Sequence, residues 1–442
     1  MTFKGLLVIF LSLGLTSGTY IDLFAPNNSC PVIWTSNISG VGSLRISADG
    51  NYIVVGYSSY GGPSTNGNSS VAMFSGNSSR PLWAYSTGIN EFVDQSPSAV
   101  SLSDDGAYIS TGGNIGQYPA SMAVLGRSGS VPLWTFRPAF DPAATTRFGQ
   151  PYVASAISGN GEYVAAHAML AGTTGSVSSI IIMFRRSSGT PLWFHNTTDY
   201  THPTDLAPIS LSYEGAYLAT IDPLTHTLYM FSQHDNQTLW TGKGSWNTVM
   251  ISGTGDFVAT GNNTTVKIFG KDSNTTLLSI TASSIYLSDF SRDGSTVVAI
   301  TDPNDSNSTL HLYDRFTGKE LFNASPAPDV DMASVSSDGS ETAAVTEPGG
   351  LFVYTRSGSL ICRTKQGSGN RTLVAISGDG RFVVTGNSQL TYMEVASPNQ
   401  TPYILAIVAG TASAAAAAVF LTLLTIRVKR RHRGVSASSG TI

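Results

Sequence analysis

Eight copies of one short pattern, Ser-x-(Asp/Asn/Glu/Thr)-Gly followed by aromatic, aliphatic and small residues, run through the chain. They begin at Ser47, Ser103, Ser158, Ser212, Ser252, Ser291, Ser336 and Ser377, as in SADGNYIVVG at 47–56 and SGDGRFVVTG at 377–386. The steps between their glycines are 56, 55, 54, 40, 39, 45 and 41 residues. Asp-Gly between two apolar runs is a hairpin signal, because the turn needs a residue at positive φ. Each copy therefore reads as strand A, a tight turn and strand B. A third strand follows, as in VAMF at 71–74, IIMF at 181–184 and LFVY at 351–354. A fourth comes next, as in PLWAY at 81–85, PLWTF at 132–136 and PLWFH at 191–195. Four short strands recurring at these steps make the antiparallel blades of a β-propeller.

The two ends decide the closure. The last copy supplies strands A and B and a short third strand, LTYMEV at 390–395, but no fourth. Near the start, CPVIWTS at 30–36 puts Trp34 where the PLW strands have their tryptophan. The expectation is an all-β, eight-bladed propeller whose N-terminal strand completes the last blade and leaves no open sheet edge. Seven blades is the alternative, if one degenerate repeat forms none. Trp83, Trp134, Trp193 and Trp240 are expected to pack between neighbouring blades.

The terminal segments carry an address. Lys4, the apolar run LLVIFLSLGL at 6–15 and the small residues after it read as a signal peptide over 1–18, too short to span a bilayer. The propeller is assigned to 19–397 and a linker to 398–402. Residues 403–426 carry no charge; as a helix they would reach about 36 Å, enough for a bilayer core of about 30 Å. The basic tail 427–442, with Arg427, Lys429, Arg430, Arg431 and Arg433, would stay cytoplasmic. The expected location is the cell membrane, single-pass, with the propeller outside.

Charged residues are only 12% of the chain, so a soluble exterior would draw on other polar groups. Fourteen Asn-x-Ser/Thr sequons are present. Those read as glycosylation candidates are Asn37, Asn68, Asn77, Asn196, Asn236, Asn263, Asn274, Asn307, Asn323 and Asn370. Cys30 and Cys362 are either a disulfide, as an oxidising compartment allows, or two buried thiols. The net charge of −4 carries no nucleic-acid footprint.

The Asp-Gly turns and the Gly-x-Pro-Leu-Trp stretch, clearest at 189–193, resemble the pyrroloquinoline-quinone-like and WD-like repeat propellers of exported, membrane-anchored bacterial and archaeal surface proteins. The resemblance covers about residues 20–396 and implies the fold. The sequence departs from both groups. It has no Trp-Asp or Gly-His dipeptide, and it lacks the adjacent cysteine pair of the quinoprotein dehydrogenases. Bound quinone is therefore not expected, nor any other cofactor.

In four-stranded blades the A–B and C–D turns share one face of the disc, and the B–C and D–A loops share the other. The long insertions, at 57–68, 87–98, 114–120, 137–150, 169–178 and 197–207, all fall on the second face over the first four blades. Long loops on a rigid frame are a usual place for function. No sequon lies between Asn77 and Asn196. The binding-face candidates are Tyr57, Tyr60, Phe92, Asp94, Tyr118, Phe140, Arg147 and Phe148, since aromatic and arginine side chains anchor interfaces.

Signals for catalysis are weak. The histidines show no metal-ligand spacing, and no Gly-x-Ser-x-Gly elbow or phosphate loop occurs. Asp222 and Asp302 precede prolines after strand B and read as turn formers. No catalytic residue or metal is assigned. The reading is a non-enzymatic cell-surface scaffold that binds a protein or glycan. One alternative is an extracellular glycan-active hydrolase or lyase, with paired carboxylates in the channel. The other is a structural subunit of a membrane complex, held through its alanine-rich helix.

Overall fold

The computed structural model describes residues 29–58, 68–89, 100–115, 118–137, 152–171, 177–197, 208–222, 225–302, 308–326, 329–347, 350–365, 372–386 and 388–395. The chain divides into two units, 1–397 and 398–442; the propeller lies in the first. The second is outside the described residues, as are the expected signal peptide, linker, membrane helix and basic tail. Among the described residues no helix is long and apolar enough to cross a membrane.

The described strands form eight four-stranded antiparallel sheets. Blade 1 consists of Val41–Ile46, Tyr52–Ser58, Asn68–Ser75 and Trp83–Ile89, paired in chain order as strands A to D. Blades 2 to 7 repeat the meander over 100–136, 152–196, 209–242, 248–281, 285–324 and 329–365. Blade 8 takes strands A to C from Leu373–Ile376, Phe382–Gly386 and Leu390–Glu394. Its strand D is Val32–Ser36, with Trp34 opposite Tyr392. Each strand A touches the strands A of both neighbours, so the inner strands close a ring. The eight-bladed, N-terminally closed propeller expected from the repeats is the observed fold.

The core lies between blades. Eight apolar clusters occupy the eight interfaces, and strand B explains why the sequence shows continuous apolar runs. In blade 1, Ile53 and Val55 pack toward blade 8, while Val54 packs toward blade 2. A strand buried on both faces has no polar side to alternate with.

The repeated Ser-x-Asp-Gly pattern is a complete turn recipe. Its glycines have φ between 66° and 79°, a region that costs other residues about 1–2 kcal/mol. The buried serine receives the N–H of the residue five positions on, as Tyr108 N–H to Ser103 Oγ at 3.0 Å. It donates to the aspartate, as Ser103 to Asp105 Oδ1 at 2.6 Å, which in turn accepts the Ala107 N–H at 2.9 Å. Burial pushes the Asp49 carboxyl up, but hydrogen bonds from Ser47 and Asn51 outweigh it and hold the group below its ordinary value.

Candidate functional site

Each turn is also an inter-blade joint. A Cβ on Gly161 would lie 2.8 Å from Tyr108 Cδ2 of the preceding blade, and one on Gly215 would lie 2.6 Å from Tyr163 Cβ. The glycine thus lets the strand-B aromatic of one blade slide beneath the turn of the next. A cation from the next C–D turn also stacks on that ring: Arg127 over Tyr52 at 4.3 Å, Arg186 over Tyr108 at 3.8 Å and Arg315 over Phe257 at 3.5 Å. The same C–D turn positions receive the strand-D indoles. Trp83 donates to Arg127 O at 2.8 Å, Trp134 to Arg186 O at 2.6 Å and Trp240 to Lys271 O at 2.8 Å. Trp34 joins blade 8 to blade 1 by donating to Gly76 O at 2.8 Å, and Tyr392 Oη donates to Gly50 O at 2.9 Å. The tryptophans pack between blades as the sequence suggests.

Blades 5, 6 and 7 carry Leu278, Phe322 and Cys362 at that register position. Cys362 is bonded to Cys30, just ahead of the N-terminal strand, with S–S 2.09 Å and Cα–Cα 5.1 Å. A bridge between Ser29 and Arg363 lays the segment along strand D of blade 7. The disulfide therefore crosses the interface between blades 7 and 8 from the position where other blades use an indole.

On the A–B face the turns are tied into a continuous ring. The N–H of Ala48 bonds Asp104 O, that of Asp104 bonds Gly159 O, and Asn160 continues to Tyr213 O. Tyr213, Gly253, Asp293, Ser337 and Asp379 carry the chain of bonds on, the last to Ala48 O, all within 2.6–3.0 Å. Arg292 reaches across this ring to ion-pair with Asp104 and lies 5.2 Å from the Tyr213 ring centroid. A Cβ on Gly159 or Gly253 would collide with the Arg292 side chain. These two glycines make room for the arginine, which spans from blade 6 to blade 2. Burial raises the Asp104 carboxyl, against the pull of Arg292.

Further polar groups are committed to the frame. Asp289 Oδ2 accepts the Val335 N–H of blade 7 at 2.8 Å, and Oδ1 accepts the Phe290 N–H at 2.8 Å. Burial raises its carboxyl, and burial lowers the Arg45 guanidinium despite the attraction of Asp289. Asp222 is buried and accepts the Thr225 N–H at 2.9 Å, the expected turn role. His167 is fully buried between blades 3 and 4. Thr220 donates to Pro208 O, so its oxygen receives the Nδ1–H of His167 at 2.7 Å, leaving Nε2 to accept from Ser179. Burial pulls this histidine down to about 4. Among the described residues no three His, Cys, Asp or Glu side chains form a metal-binding group.

The B–C/D–A face differs in relief. Within the expected loops at 114–120 and 169–178, the described residues 114–115, 118–120, 169–171 and 177–178 belong to strands. Blade 2 pairs to Ile115 with Tyr118, and blade 3 to Ala171 with Val177. Strand B is eight residues long in blade 2 and nine in blade 3, against five in blades 4, 5 and 8. Two β-ribbons thus extend from this face where long loops were expected. Gly112 allows the blade 2 ribbon to meet the Val153 carbonyl of blade 3 closely.

Of the binding-face candidates, Tyr57 lies in strand B of blade 1, half-buried against the core between blades 8 and 1. Tyr118 begins strand C of blade 2. Tyr60, Phe92, Asp94, Phe140, Arg147 and Phe148 lie outside the described residues. Of the sequon asparagines, Asn37, Asn77, Asn196, Asn236, Asn263, Asn274 and Asn323 are exposed. Asn68 opens strand C of blade 1, and Asn307 and Asn370 are outside the described residues. The Arg292–Asp104 ion pair was missed by sequence reading. Its only trace is the absence of side chains at Gly159 and Gly253.

These features define an eight-bladed propeller of the WD40-like fold. The structure is similar to the C-terminal WD40 domain of Sif2, with 11% identity, 84% of this chain and 100% of that one covered, and TM-score 0.56. It is also similar to Chaetomium thermophilum Sqt1 bound to the N-terminus of ribosomal protein L10, with 15% identity, 83% and 100% covered, and TM-score 0.54. BamB from Moraxella catarrhalis matches with 14% identity, 83% and 99% covered, and TM-score 0.50. The sequence matches no family model and no curated protein.

Proposed function

We propose that this chain is an exported, glycosylated propeller on a single membrane anchor, a surface scaffold of the prokaryotic kind that binds a protein partner without chemistry. The observation that carries the reading is the inequality of the two faces. The A–B face is bonded into a ring and crossed by the Arg292–Asp104 ion pair, while the opposite face carries longer β-ribbons in blades 2 and 3. Backbone already paired in a ladder loses less entropy on binding than loose loops do. The Cys30–Cys362 bond supports an oxidising compartment, and exposed sequons suit one. Propellers accept many activities on one frame, so likeness of fold lends only background. One of the similar structures holds the N-terminus of a ribosomal protein, an example of this frame engaging a peptide.

The test is cross-linking and capture in native membranes with the tagged full chain, beside a variant whose 137–150 segment is cut to a short linker. A partner captured by the wild type and lost with the segment is expected. Equal capture by both would move the binding site off this face.

A further inference from the structure

Blade 6 joins three chemically different side chains across its sheet. Thr301 ends strand B, Thr296–Thr301; His311 lies in strand C, Thr309–Asp314; Glu320 opens strand D, Glu320–Ala324. Thr301 is paired with Thr309, and side chains two residues apart on a strand share a face, which sets His311 beside Thr301. His311 Nδ1 lies 2.7 Å from Glu320 Oε1, and Nε2 lies 2.8 Å from Thr301 Oγ1. A carboxylate only accepts, so Nδ1 carries the proton; Nε2 of the neutral ring is then an acceptor, and the Thr301 hydroxyl donates to it. Asn323 Nδ2–H also donates to Glu320 Oε1, at 3.1 Å. Burial pushes the Glu320 carboxyl up, but hydrogen bonds from His311 and Asn323 outweigh it and hold the group below its ordinary value. The His311 ring lies nearly parallel to that of Tyr313, with centroids 6.0 Å apart.

The frame does not call for this histidine. The same strand-C position is Ala72, Ala123, Ile182 and Phe352 in blades 1, 2, 3 and 7. His167 shows an internal histidine that serves packing: it is fully buried, with a hydroxyl at each nitrogen. His311 differs on both counts. A carboxylate holds its Nδ1, and water reaches the group, the His311 side chain being 16% exposed and that of Glu320 37%. A hydroxyl bonded to an imidazole that a carboxylate orients is the arrangement by which a weak nucleophile is activated.

We propose that Thr301 is an acyl-acceptor site, which takes the acyl group of an activated carboxylic ester with His311 as general base and Glu320 as its positioning residue. Thr301 Oγ1 attacks the carbonyl carbon and forms the new C–O bond, while the bond to the leaving oxygen breaks. The hydroxyl proton passes to His311 Nε2 and from there to the leaving oxygen, and Glu320 faces the transient imidazolium charge. The products are O-acyl-threonine and a free alcohol or phenol, so no oxidant or further reactant enters. The partner-binding reading neither needs nor excludes this step, and each can fail alone.

The test incubates the purified full chain with p-nitrophenyl acetate, follows release of p-nitrophenolate and maps the acetyl group by peptide mass spectrometry. Acetylation of Thr301 is expected, removable by hydroxylamine as esters are. His311→Gln should slow it about a hundredfold and Glu320→Gln at least about tenfold. Thr301→Val should abolish it, and Thr301→Ser should restore it. Thr309→Val, which removes a neighbouring hydroxyl bonded to Ser325 and not to His311, should leave the rate unchanged. A histidine that only braces the sheet would move the guanidinium unfolding midpoint without moving the acetylation rate. Acetyl groups on lysines alone, equal rates in Thr301→Val and the wild type, or acetylation of Thr301 indifferent to His311→Gln would each overturn the proposal. Should His311→Gln fail to fold, Thr301→Val and Thr301→Ser decide it, since both leave the His311–Glu320 pair in place.

Discussion

Replacing Gly161 with alanine separates the two jobs of the repeated turn. Its φ of 71° costs an alanine about 1–2 kcal/mol. The new methyl would also sit 2.8 Å from Tyr108 Cδ2, with Ser103 Cβ at 3.3 Å. Forcing that overlap, with Arg186 stacked on the ring at 3.8 Å, adds about 1 kcal/mol. Gly161→Ala alone should therefore cost about 2–3 kcal/mol. In a Tyr108→Ala background the steric part disappears and only the backbone part, about 1–2 kcal/mol, remains. The assay is guanidinium unfolding followed by tryptophan fluorescence, with slopes compared so that midpoints report stability. Gly129, whose added Cβ would meet nothing within 4 Å, is the control and should tolerate alanine within about 0.5 kcal/mol. Equal costs with and without the Tyr108 ring, to within about 0.4 kcal/mol, would refute the inter-blade role of the turn.

Other consequences are as direct. Replacing both Cys30 and Cys362 with serine should lower stability by about 2–4 kcal/mol in denaturant unfolding, because the bond closes a loop around nearly the whole propeller. Trp134→Phe keeps the ring but orphans Arg186 O, and should cost about 1–2 kcal/mol by the same measurement. His167, held down to about 4 in the fold against 6.5 unfolded, binds its proton first in the unfolded chain. Its contribution is complete above pH 6.5 and is lost as pH falls toward 4, about 3 kcal/mol in all. His167→Gln should flatten that part of a stability–pH profile measured between pH 7 and 4.

What could be read in advance follows from distance along the chain. Ser103, Asp105 and Gly106 make their turn with one another, so the pattern is local and visible. The PLW strands were legible because an indole facing a neighbouring blade recurs at a fixed offset from that turn. Trp34 was legible because a ring closed by its first strand leaves the last repeat one strand short. The pairing of Arg292 with Asp104 was not, since 188 residues separate them and each stands at the variable position of its turn. The fate of Cys30 and Cys362 was equally open: neither has a local signature, and only closure of the ring brings them together. The ribbons were read as loops because their residues stand between the repeated strand-B and strand-C patterns, while Gly112 admits the Val153 carbonyl of the next blade.

Closure through the first strand also sets a clock. Trp34 pairs with Tyr392, so the earliest strand made waits for nearly the last. At about 5–20 residues per second, that wait is on the order of 20–70 s. Throughout it, the Phe74 face of blade 1 lacks its cover and Cys30 remains an unpaired thiol. Seven blades can stack as they emerge, but the eighth records that synthesis has reached its end. A chain stopped short of residue 390 therefore keeps an unsatisfied strand at one end and an open edge at the other, features by which quality control can tell it from the finished ring.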